Sequence, residues 1–163
     1  MLTPSQLATL KAAINANSTW AAYPLTNAYA QVIADSLNAT ASPAYVVWRS
    51  KVTQDEIMLN GFDWARVDNL SVGKARVWEW LFDNQEKSIN PSKANVRAGI
   101  DQTWTGTAQD QAVRTAVYVH CKRNATTAEK LFATGSGTDA SPSLMAFEGN
   151  LTADDVAQAR ELP

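Results

Sequence analysis

Residues 47–82 read VWRSKVTQDEIMLNGFDWARVDNLSVGKARVWEWLF and hold four of the six tryptophans, Trp48, Trp64, Trp78 and Trp80. A buried aromatic side chain brings roughly 150–250 Å² to a core, and no other stretch of this length carries as much. Its pattern is helical. Thr53 with Glu56 forms a capping box, and Val52 with Ile57 a hydrophobic staple, so a short helix starts here. Asn60-Gly61 stops it. Asp63 opens a further helical turn over residues 62–67. From Leu70 or Ser71 a longer helix carries Ala75, Val77, Trp78, Leu81 and Phe82 at helical spacing. Trp80 falls off that stripe. The helix is therefore apolar on more than one side, either central in the core or partly at an interface. Residues 45–48, rich in β-branched and aromatic side chains, read as a short strand, a short helix or an extended segment.

The flanks repeat the helical grammar. Thr3 caps the first helix, Pro4 takes its first position, Gln6 closes the box, and Leu7, Leu10 and Ile14 recur at helical spacing. Residues 20–24 make an aromatic turn. A helix over residues 27–37 buries Tyr29, Val32, Ile33 and Leu37, and residues 38–43 are a linker of turn formers. After a polar connection at 83–92, Asn90-Pro91 opens a helix with Val96, Ile100 and Trp104 spaced by four. Gly99 inside it costs about 1 kcal/mol relative to Ala and permits a close helix crossing. Thr107 with Asp110 opens the next helix, whose face holds Ala112, Val113, Ala116, Val117 and His120. Asn124 breaks it, and Ala128, Leu131 and Phe132 continue. Residues 134–143, TGSGTDASPS, read as a flexible loop. Leu144, Met145 and Phe147 dock it back, and the staple and cap of residues 151–156 start a last helix. The capped starts are unequally spaced and are not an internal repeat.

The 163 residues suit one domain that buries close to ~70% of its unfolded surface. The expected fold is mainly α: a single-domain bundle of about six to seven short helices, with a core over residues 2–133, the loop at 134–143 and a C-terminal arm or helix over 144–163. Charged residues are only 18% and the net charge is −2, against the basic excess usual in nucleic-acid-binding domains. Cys121 is the single cysteine, which excludes an intrachain disulfide and a Cys-rich zinc site. The N-terminus lacks the pattern of a signal peptide, and no stretch approaches the ~20 apolar residues of a membrane span. A cytosolic product is expected.

Few residues suggest chemistry. His120 and Cys121 adjoin, but neighbours on a helix point about 100° apart and do not face each other. A packed histidine and a small buried thiol explain them. Asp55, Glu56, Asp63 and Asp68 lie near tryptophans as glycosidase carboxylates do, yet capping accounts for Glu56 and Asp63. Arg49, Lys51, Arg66, Lys74, Arg76, Lys93 and Arg97 interleave with aromatics, but acids are mixed among them, as on a solvated surface. The glycine-rich loop around Ser136-Gly137 lacks the Lys-Ser/Thr ending of a phosphate loop. No catalytic residue, metal ligand or cofactor site is expected.

Three segments carry a resemblance: residues 48–82, residues 89–104 (INPSKANVRAGIDQTW) and residues 115–137 (TAVYVHCKRNATTAEKLFATGSG). They resemble a family of small virion-assembly proteins of tailed bacteriophages and prophages, and the likeness spans roughly residues 2–156. It implies a structural or assembly protein and carries over no catalytic residue. Small, mainly helical head–tail adaptors are similar in kind, whereas tail terminators, tail tubes and decoration proteins are usually built on β-sheets. The resemblance thus implies a neck component, made in the host bacterial cytoplasm and placed in the virion between portal and tail. It would be a homo-oligomeric ring, a dodecamer, contacting the portal protein and tail or stopper proteins. DNA would pass its lumen without specific binding, and no membrane is involved. The alternatives are a DNA-interacting assembly factor or another tail or neck component. Candidate interface residues are Trp80, left over on its helix, with Arg49, Lys74 and Arg76 around it. In the C-terminal segment they are Leu144, Met145, Phe147, Leu151 and Val156.

Overall fold

The computed structural model describes residues 1–59 and 62–163. The helix stop expected at Asn60-Gly61 lies outside the described residues. The fold is mainly α. In chain order the elements are α1 (Pro4–Ala16), α2 (Ser18–Ala21), α3 (Asn27–Asn38), β1 (Val46–Trp48), β2 (Val52–Thr53), α4 (Gln54–Met58), α5 (Trp64–Asp68) and α6 (Val72–Leu81). There follow β3 (Ser88–Ile89), α7 (Ala94–Thr103), α8 (Ala108–His120), β4 (Lys122–Asn124), α9 (Thr127–Phe132), β5 (Ala133–Thr134), β6 (Leu144–Met145) and α10 (Ala153–Glu161). The described residues thus hold ten helices rather than six or seven, because α2, α4 and α5 are single turns of four or five residues. Residues 46–48 take the strand alternative, as β1.

Backbone contacts divide the chain into two compact units, Met1–Val47 with Asn124–Pro163, and Trp48–Arg123. The chain passes from the first to the second within β1 and returns within β4.

In the first unit α3 supplies the central stripe, Ala30, Ile33, Ala34 and Leu37, spaced so that all four lie on one side of the helix. Tyr29 and Val32, expected in that stripe, are exposed: Val32 points away from the stripe, and Tyr29 lies at its edge, 4.6 Å from the Tyr23 ring. Leu2, Leu10 and Ile14 from α1 and its lead-in join the core, with Ala128 and Phe132 from α9. Leu151, Val156 and Ala159 complete it. This corrects the expectation of a core ending at residue 133. α10 packs on α1 and α3, and the turn before it is clamped. Asn38 Nδ2 donates to the Leu151 carbonyl at 2.8 Å while its Oδ1 accepts from the Leu151 amide at 2.8 Å. Lys11 Nζ donates to the carbonyls of Leu162 and Pro163, and Arg160 to those of Tyr23 and Pro24.

Residues 134–143 form the tip of a hairpin. β5 and β6 pair antiparallel, Ala133 with Met145 and Thr134 with Leu144. Ser136 Oγ donates to the Ser141 carbonyl at 3.0 Å, and the Val46 amide to the Gly137 carbonyl at 2.7 Å. Gly137 has φ +65°, and a Cβ there would lie 2.1 Å from the Tyr45 ring, so both backbone and space require glycine.

The second unit is built round aromatics. Trp78 stacks on Phe62 at 5.9 Å and meets Trp104 at 5.3 Å and Phe82 at 5.0 Å, edge to face. Ile57, Ile100, Val113, Val117 and Cys121 fill the space round them. β2 and β3 pair antiparallel, Val52 with Ile89. α6 packs on α7 where Gly99 leaves room: a Cβ there would lie 3.1 Å from Leu81 Cδ2. The capping boxes of Thr53 with Glu56 and Thr107 with Asp110 form as the sequence spacing predicts.

Candidate protein–protein interface

α6 starts at Ser71, whose Oγ accepts from the Lys74 amide. Each helical residue turns about 100°, so Trp78 and Trp80 point to nearly opposite sides. Trp78 is buried in the aromatic cluster, and Trp80 is 72% exposed. Val72, 71% exposed, stands two turns before it. Arg76, Glu79 and Asp83 are exposed on the same side. Next to Trp80 lies an open cleft of about 370 Å³ lined by Gln54, Trp78, Glu79, Trp80, Phe82, Asp83 and Lys87. The face thus combines a large apolar ring, a free guanidinium and two carboxylates.

The other candidate residues are placed differently. Arg49 is tied inward: Nη2 pairs with Glu56 Oε1 at 2.7 Å and Nη1 donates to the His120 carbonyl at 3.2 Å. The Glu56 carboxyl is held below its usual range, first by the Thr53 amide and then by Arg49. Arg49 is therefore a strut of α4, not a surface group beside Trp80. Lys74 is half-buried, its Nζ donating to the Thr105 carbonyl at 2.7 Å. Leu144 is 45% exposed and Met145 half-buried on the hairpin of the first unit. Phe147 packs edge to face on Phe132 at 5.4 Å. Leu151 and Val156, with 2% and 0% of their surface exposed, offer nothing to a partner. Their apolar character serves the first unit's own core, which corrects their assignment to an interface.

Cys121 is fully buried, and burial pushes its thiol up to about 12. Such a thiol stays protonated at neutral pH and is a poor nucleophile. Trp48 is flanked by cations from its own unit, with Arg97 4.8 Å and Lys122 6.0 Å from the ring, so its face is already occupied. Among the described residues no group of three or more His, Cys, Asp or Glu side chains is placed to hold a metal ion. Nor is any helix long and apolar enough to cross a membrane.

No family model, curated protein or solved structure matches the chain.

Sequence reasoning missed Val72, Glu79 and Asp83 as members of the face. The signal for them was present. Residues 72, 76, 79, 80 and 83 follow helical spacing, and none of them is needed by the buried stripe through Trp78.

Proposed function

We propose that the protein is a structural subunit of a tailed-phage virion, a head–tail adaptor that joins the portal to the tail as part of a neck ring. The reading rests on the sequence resemblance, and the observation that supports it best is the α6 face. A tryptophan exposed over most of its surface, with an exposed valine two turns away on the same helix face, is the kind of anchor that interfaces cover. The mainly helical fold suits the adaptor class. In this reading the subunit forms a dodecamer, touches the portal protein on one side and tail or stopper proteins on the other, and lets DNA pass through the lumen. The exposed Leu144 on the β5–β6 hairpin is a second apolar point for a neighbouring subunit.

The test is to mix the purified protein with its portal ring and image the product by negative-stain electron microscopy. Twelve-fold rings seated on the portal are expected. A protein that neither forms rings nor binds the portal overturns the proposal.

A further inference from the structure

α6 ends on the charge its own dipole disfavours. The C-terminus of a helix carries partial negative charge and attracts cations. The last turn of α6 contains no Lys, Arg or His. It contains Glu79, and Asp83 follows just past the cap. Among the described residues neither carboxylate has an ion-pair partner. Both line the cleft together with Trp78, Trp80 and Phe82, and Gln54 and Lys87 complete its lining. Two acids beside an aromatic wall at a helix C-terminus form a receptor for a guanidinium, which pairs with carboxylate and stacks on aromatic rings at once.

Arg76 is such a guanidinium, exposed one turn before Trp80. It makes no ion pair with Glu79 within the chain, and a cation placed before its acid is the less favourable order on a helix. We propose that α6 pairs antiparallel with α6 of a second copy, the Arg76 of each entering the acid–aromatic cleft of the other. A two-fold axis near residue 78 sets Arg76 opposite Trp80 twice, with Glu79 and Asp83 within reach of each incoming guanidinium. One helix carries both the cleft and the group that fits it, which is the self-complementarity an isologous contact needs. At Gly73 a Cβ would meet nothing within 4 Å, so the second helix can lie close.

This rests on the reading above only in treating the Trp80 face as a contact face. A neck ring with distinct portal and tail sides has no two-fold axis in its plane. The paired form therefore belongs to the free chain and opens before the ring forms.

The experiment is sedimentation velocity on the full chain, without portal, over a hundredfold concentration range at low and high salt. A reversible dimer that weakens with salt is expected. Arg76→Glu, and separately Glu79→Lys with Asp83→Lys, each weaken it by about tenfold or more, a loss of at least about 1.4 kcal/mol. The side chains are on the surface, and circular dichroism checks that the variants fold. Mixed one to one, the two variants regain the dimer, because each mutated charge meets its opposite in the other chain. A wild-type chain that stays monomeric, a dimer indifferent to these charges, or a mixture that fails to re-form it overturns the pairing. A monomeric chain that still forms rings on the portal removes only the pairing. A dimer that ignores the portal removes only the virion reading.

Discussion

Asp110 does two things with one carboxylate. Its Oδ2 accepts from the Thr107 amide at 3.1 Å and closes the capping box of α8. Its Oδ1 takes Arg66 Nη2 at 2.6 Å and Nε at 3.3 Å, tying α5 to the start of α8. The Arg66 hydrogen bond, followed by those of Thr107, holds the carboxyl down at about 2, from an ordinary 3.8. The folded state thus favours the charged form. The stability this contributes is complete above the unfolded pKa and is lost as pH falls from about 4 through about 2. Wild-type urea midpoints should fall over that window, and Asp110→Asn should show a flatter dependence there, from a lower midpoint at neutral pH. Equal slopes for the two proteins would show that Asp110 is not the titrating group.

At the scale of elements, α10 decides whether the C-terminal segment is an arm or a wall. Val156 is fully buried between α10 and the helices it packs on. Truncating it leaves a cavity that the surrounding side chains fill only in part. Val156→Ala should therefore cost about 2 kcal/mol, read as a lower urea midpoint with an unchanged slope. Were α10 an undocked arm, the midpoint would not move. The hairpin tip teaches a related point. Its Ser, Thr, Gly and Pro residues gave no burial signal, yet Tyr45 organises it. The Tyr45 hydroxyl donates to the Gly135 carbonyl at 3.0 Å and accepts from Ser143 Oγ at 2.8 Å. Turn residues show where the chain bends, and a partner 90 residues away determines how it is held.

For the whole molecule, charge is sparse and balanced, and its distribution is uneven. Of residues 1–48 only Lys11 and Asp35 are charged. Lys11 is used on the C-terminal carbonyls, and Asp35 accepts from Gln31 Nε2 at 2.7 Å. In the second unit, basic side chains that interleave with aromatics are largely engaged within the fold. Arg49 is on Glu56, Lys51 on Glu86, Arg66 on Asp110, and Arg97 on the carbonyls of Pro91 and Ser92. Arg76 and Lys93 are exposed. With a net charge of −2 there is little to release counterions from a phosphate backbone. The chain should give no mobility shift with duplex DNA at physiological salt. A shift that fades as salt rises would favour the DNA-interacting alternative over the adaptor.

Much of this was legible from neighbouring residues alone. Thr3 with Gln6, Thr53 with Glu56, Thr107 with Asp110 and Thr152 with Asp155 each close a capping box, because a cap needs only partners three residues apart. The mainly helical class, the spacing that leaves Trp80 off its stripe and the close crossing at Gly99 follow from period and side-chain size. The sequence could not show which of several apolar side chains each core would claim. Leu151 and Val156 have the same character as an interface anchor. Only the clamp from Asn38, 113 residues away, and the docking of α10 make them interior. Arg49 reads as a surface cation until Glu56 and the His120 carbonyl draw it in. The helix starts follow from residues three or four apart, because capping energies are local. The tertiary structure decided which faces were buried and which, like that of Trp80, were left open, because burial depends on residues far apart in the chain.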